Sequence, residues 1–176
     1  HEELIYKLPF LYSEKKYLNL SFSNFKKNII LIPGASFASK QYPVENFAEV
    51  THLLDANYLI IWGNDEERLL ADKIKDLAPH VNICEKLSIE GLISLISKVD
   101  LIIGPDTGPT HIGWALNVPS ITIFGPTPGY RNSLATANNK IIESESDVNP
   151  YRINKNDYSI NSVNAIQVVE IAKSLL

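Results

Sequence analysis

Leu101-Ile102-Ile103-Gly104-Pro105-Asp106-Thr107-Gly108-Pro109-Thr110-His111 runs from an aliphatic stretch straight into small, hydroxyl and turn-forming residues. The aliphatic part, Leu101 to Ile103, reads as a strand buried on both faces. Thr107 or Gly108 then begins a short helix, Pro109 to Leu116, because proline suits a first helical turn, where its missing N–H would have no partner. The same grammar recurs outward in both directions. Short β-branched or aliphatic runs at Ile29 to Ile32, Tyr58 to Trp62, Val81 to Cys84, Ser120 to Phe124 and Lys140 to Ile142 alternate with stretches of helical period. Glu45 to Ala56 places Phe47, Val50, Leu53 and Leu54 on one helical face, and Leu69, Leu70, Ile74 and Leu77 form the next. Ser88 reads as the N-cap of a helix carrying Leu92, Leu95 and Ile96, with Glu90 near its positive end. Ser162 is read as opening a last helix with Val163, Ile166, Val169, Ala172 and Leu176 inward. Strands alternating with helices predict an α/β fold, a three-layer, doubly wound, Rossmann-like parallel sheet.

The composition sets outer limits. A chain of 176 residues with 45% hydrophobic and 20% charged residues is expected to form one domain of ordinary core size. The net charge of -4 provides no overall positive field for nucleic acid. Cys84 is the single cysteine, which excludes an internal disulfide and fits a reducing, cytoplasmic setting. The four histidines show no metal-ligand spacing, so neither a metal nor a cofactor is expected. The chain opens at His1 and contains no methionine, and we expect it to be part of a longer protein. Residues 1–27 read as a helix and lead-in, residues 28–176 as the domain, and the Asn-rich stretch from Asn149 to Asn161 as an exposed loop.

In such a sheet ligands bind beyond the carboxyl ends of the strands, so the strand-to-helix loops are the candidates. The Gly104 to His111 loop combines glycines that permit close approach, the hydroxyls of Thr107 and Thr110, and a helix N-terminus, which together suit an anion. A plain Asp or Thr cap beside a hydrogen-bonded histidine would use the same residues. Pro33-Gly34-Ala35-Ser36-Phe37-Ala38-Ser39-Lys40 offers small residues, hydroxyls and a lysine, suiting a diphosphate, although Pro-Gly also makes an ordinary turn. It lacks the Gly-Lys-Ser/Thr of a Walker loop. Trp62-Gly63-Asn64-Asp65-Glu66-Glu67-Arg68 could border a flat base and offer a carboxylate to ribose hydroxyls; acidic residues also simply favour a first helical turn. No Gly-x-Ser-x-Gly elbow points to a hydrolase.

Asp106-Thr107-Gly108-Pro109-Thr110-His111-Ile112-Gly113-Trp114-Ala115-Leu116-Asn117-Val118-Pro119, followed by Phe124-Gly125-Pro126-Thr127, resembles the bacterial lipopolysaccharide heptosyltransferases of glycosyltransferase family 9. Trp62-Gly63 with Glu66-Glu67, Leu87-Ser88 and Lys40 extend the likeness, which covers roughly Asn28 to Leu176. The resemblance implies the C-terminal, donor-binding half of a two-domain GT-B enzyme. Such an enzyme is inverting: it passes heptose from ADP-heptose to the lipopolysaccharide inner core, with its carboxylate base and acceptor site in an N-terminal domain outside this chain, and is open to peripheral contact with the membrane. Carried over by position, Ser36 and Lys40 would bind the diphosphate, Glu67 the ribose and Leu87 the adenine. Asp106, Thr107, Gly108 and His111 would hold the pyrophosphate and sugar. Ala35-Ser36 stands where family members often carry two hydroxyl residues, so one phosphate hydrogen bond is in question. Gly-Pro-Thr-Pro-Gly-Tyr-Arg favours the type that adds the first heptose over heptosyltransferase II. A nucleotide-sugar epimerase or a non-catalytic nucleotide-binding module are the other readings.

Overall fold

The computed structural model describes residues 22–149 and 151–176. The expected lead-in helix therefore lies almost wholly outside the described residues. Strands β1 (Asn28–Leu31), β2 (Asn57–Ile60), β3 (Asn82–Ile83), β4 (Leu101–Pro105), β5 (Ser120–Phe124) and β6 (Asn139–Glu143) form one sheet. Its order is β3-β2-β1-β4-β5-β6 and every neighbouring pair is parallel. This is the doubly wound Rossmann order, with its switch point between β1 and β4.

The helices are α1 (Val44–Leu53), α2 (Asp65–Leu77), α3 (Ile89–Ile96), α4 (Gly108–Ala115), α5 (Gly129–Asn132) and α6 (Ala165–Leu175). Two 3-10 turns, Ala38–Lys40 and Ser159–Ser162, complete the order. The strands are aliphatic at successive positions because both faces are covered. Ile29, Leu31, Tyr58, Ile60, Leu101 and Ile103 pack toward α1, α2 and α6, while Ile30, Leu59, Ile102 and their neighbours pack toward α3 and α4. The period of two thus divides one hydrophobic run between two cores.

Several sequence boundaries shift. The second strand ends at Ile60 rather than Trp62, which leaves Trp62 free to turn into the loop. The third keeps only Asn82–Ile83 of the Val81 to Cys84 run, and α1 stops at Leu53 short of Ala56. The last helix does not begin at Ser162. Ser162 donates to Ser159 O and closes a 3-10 turn, whereas Asn164 accepts from Gln167 N and its own N–H bonds Gln167, a reciprocal capping box that starts α6. Ile166 faces water, as do Leu53, Leu69 and Leu77, which the helical period places inward. The described residues of the Asn-rich loop are mostly exposed as expected, with Asp157 and Ser159 half-buried and Ile160 fully buried. Helix α5 was not anticipated.

Candidate nucleotide-binding cleft

The carboxyl ends of β1, β2 and β4 open onto a cleft of 290 Å³ at the switch point. Ile32 and Ile61 continue their strands into its floor, while Leu87, Leu92 and Ile112 give it an apolar side. Thr107, Gly108 and Pro109, the start of α4, close another side. A Cβ built on Gly108 would meet nothing within 4 Å, so the helix start lies open to an approaching group. Thr107 is the N-cap in extended conformation and makes no side-chain cap bond. Thr110 is committed elsewhere: its hydroxyl donates to Pro105 O at 2.9 Å and ties the first turn to the strand it leaves. The amide of Gly108 and the positive helix end are consequently presented to the cleft.

Glu67 stands on the first turn of α2, where Asn64 caps the helix by accepting from Glu67 N at 2.9 Å. Its carboxylate reaches back to accept from Gly63 N at 2.7 Å, and its side chain fills the space where a Cβ on Gly34 would sit. One oxygen therefore pins the β2 loop, and the carboxylate lines the cleft. Trp62 forms a neighbouring wall, its indole N–H donating to Cys84 O at 2.8 Å with Arg68 and Lys86 5.4 and 5.8 Å from its ring centre. Leu87 is half-buried on the same lining.

Beside the cleft lies a second cluster around Asp106, which is 7% exposed. Lys40 Nζ is 2.8 Å from Asp106 Oδ2, His111 Nε2 is 3.0 Å from Oδ1, and Asn132 Nδ2 donates to Oδ2 at 3.3 Å. Burial would raise the carboxyl, but hydrogen bonding and charge from Lys40, then His111, outweigh it and hold the group below the ordinary carboxylate range. The His111 ring stacks on Trp114 at 4.4 Å.

The structure brings Glu67, Leu87, Thr107 and Gly108 together in the cleft and gathers Lys40, Asp106 and His111 in the adjoining cluster. Ser36 is exposed and lines neither. Asn132 is a member the sequence reading missed. It is carried by a four-residue helix following Thr127-Pro128, too short for any period to mark, and Gly129 N anchors that helix on Glu143 Oε1 at 2.7 Å. Among the described residues, no group of three or more His, Cys, Asp or Glu side chains could hold a metal ion.

A doubly wound sheet with an apolar cleft, a helix start and a carboxylate meeting at its switch point defines a Rossmann-like architecture. The chain belongs to glycosyltransferase family 9 (heptosyltransferase), whose model matches residues 6–158. It is 37% identical over 179 residues to lipopolysaccharide heptosyltransferase 1 of Campylobacter coli, covering 96% of this chain and 51% of the relative. The fold is shared with the glycosyltransferase family 9 protein of Veillonella parvula, at a TM-score of 0.79 and 18% identity over 96% of this chain and 51% of that one. It is shared also with E. coli heptosyltransferase WaaC with ADP, at 0.73 and 20% identity over 91% and 48%. The chain spans about half the length of the C. coli relative and of these structures.

Proposed function

We propose that this chain is the donor-binding half of an inverting lipopolysaccharide heptosyltransferase of the first-heptose type, working at the cytoplasmic side of the membrane. The observation that carries the reading is the cleft itself, whose one lining joins an apolar side, a carboxylate and an open helix start, the three surfaces that a base, a ribose and a diphosphate call for. Adenine would lie against Leu87, Leu92 and Ile112, and the ribose hydroxyls would donate to Glu67. The diphosphate would take the Gly108 amide and the positive end of α4, leaving the heptose directed toward Asp106 and His111. The C. coli relative supports heptose transfer, and the E. coli structures with ADP and with ADP-2-deoxy-2-fluoro heptose support the donor class.

In the whole enzyme an acceptor hydroxyl would attack the anomeric carbon as its bond to ADP breaks, and the hydroxyl proton would pass to a carboxylate of the facing domain. The helix start in this half would stabilise the charge that develops on ADP. Calorimetric titration of the purified chain tests the reading. ADP is expected to bind more tightly than UDP, and NADP to bind poorly because Glu67 would repel its 2′-phosphate. Gly108→Val should abolish ADP binding and keep the circular dichroism of the parent, since its new side chain enters open space that the diphosphate needs. Equal affinity for ADP, UDP and NADP would reduce the cleft to a general anion site.

A further inference from the structure

Asp106 directly precedes Thr107, which lines the cleft, so the cluster around its carboxylate begins where the cleft ends. The carboxylate is 7% exposed, and donors from Lys40, His111 and Asn132 already stand on it. A group leaving the cleft on this side meets the rim of the cluster as well as its centre. His111 is exposed there and Asn132 half-buried, whereas Lys40 is only 8% exposed.

The bond to Asp106 orients Asn132. Facing a carboxylate, a primary amide must present its nitrogen, and Asn132 Nδ2 donates to Asp106 Oδ2 at 3.3 Å. The second Nδ2 hydrogen and Oδ1 take no partner among the described residues. Lys40 Nζ holds the same carboxylate oxygen at 2.8 Å, so the charge of Asp106 is matched without Asn132. The backbone beneath the amide is set at both ends of α5. Asn132 N donates to Pro128 O at 3.2 Å, and Gly129 N to Glu143 Oε1 on β6. Thr127, earlier on the same segment, is 3% exposed and its hydroxyl has no partner. The segment from β5 to α5 thus carries hydrogen-bonding capacity that the described residues leave unused, and its amide has little backbone freedom left to lose.

We propose that Asn132 is a specificity-determining residue for the sugar of the donor. Its Oδ1 accepts from a sugar hydroxyl, and its remaining Nδ2 hydrogen donates to that hydroxyl or to the adjacent one. The assignment rests on the nucleotide reading above, and adds a residue to the side where that reading directs the heptose. The sugar is joined to the far end of the diphosphate from adenosine, so its partners are expected just beyond the lining that holds base and ribose. A hydroxyl both donates and accepts, and a neutral amide answers both without placing a second charge beside Asp106.

The test is calorimetric titration of the full chain, of Asn132→Ala and of Asn132→Leu with ADP and with ADP-heptose. Both variants should weaken ADP-heptose about three- to tenfold, the worth of a neutral hydrogen bond, and leave ADP unchanged. Asn132→Leu keeps the volume of the side chain, so parental ADP-heptose affinity in that variant would overturn the assignment by making shape, not hydrogen bonding, the contribution. Equal weakening of ADP and ADP-heptose would also overturn it, because Asn132 would then be a support for Asp106 and the diphosphate. Unchanged affinity for both ligands would remove the assignment and leave the nucleotide reading standing. No ADP binding by the unaltered chain would sink the nucleotide reading, and this assignment with it.

Discussion

Lys40 and Asp106 are both nearly out of solvent, with side chains 10% and 8% exposed, so each is costly to leave alone. Lys40→Met should destabilise the fold by about 3–5 kcal/mol, read from the urea midpoint, because it strands a buried carboxylate on His111 and Asn132 alone. Lys40→Met with Asp106→Leu should regain most of that loss. The pH dependence has a definite sign. The folded-state carboxyl is depressed, so the pair's contribution is complete above the unfolded value of about 3.9 and fades as pH falls through the lower folded value. In Lys40→Met the depression goes, and mild acid should cost less stability than in the parent; an identical acid profile would show that Lys40 is not what holds the carboxyl down. Cys84 gives a second residue-level test. Burial pushes its thiol up to about 12, and with 4% exposure it should resist a thiol reagent at pH 8 until the protein is unfolded.

The elements differ in how much their contacts can give. Gly125 ends β5 against Ile160, and an added Cβ would sit 2.6 Å from the Ile160 Cβ and 2.9 Å from its nitrogen. Gly125→Ala should therefore cost about 1–3 kcal/mol and loosen the Ser159–Ser162 turn, seen as faster amide exchange there. Gly113→Ala meets only the Cδ1 end of Ile102 within 3.4 Å and gains up to about 1 kcal/mol of helix propensity, so its urea midpoint should move far less. Neither glycine has positive φ, so contact rather than backbone strain decides both outcomes. Removal of the capping box in Asn164→Ala should cost about 0.5–2 kcal/mol.

These particulars also explain what the sequence could and could not reveal. The central strands were legible because burial on both faces leaves an unbroken aliphatic run, and Ser88 was legible because its hydroxyl does accept from Gly91 N at 3.2 Å. The start of α6 was ambiguous because Ser162 and Asn164 are both capable caps; the choice fell to the Gln167 partner and to the burial of Val163. Helix α5 is shorter than two turns and leaves no periodic trace. The Trp62 to Arg68 and Gly104 to His111 loops followed from strand ends, whereas Glu67 was singled out among its acidic neighbours only by the family resemblance. The Lys40–Asp106 pair joins distant segments, and nothing local announces it.

At the scale of the molecule, the cleft opens at the carboxyl ends of the central strands, and under the proposed function it would serve half of a transfer reaction. The chain by itself is expected to fold and to bind ADP without transferring heptose to a lipopolysaccharide acceptor, and turnover by the purified chain would overturn the two-domain reading. The placement of the two tryptophans would let the proposed binding be followed directly. Trp62 walls the cleft, and Trp114 stacks on the histidine that holds Asp106. The protein thus carries two intrinsic fluorophores, one reporting occupancy and the other the state of the acidic cluster. Quenching by ADP should vanish in Trp62→Phe, while any residual spectral shift in that variant would belong to Trp114 and would time the rearrangement of His111 separately from the arrival of the base.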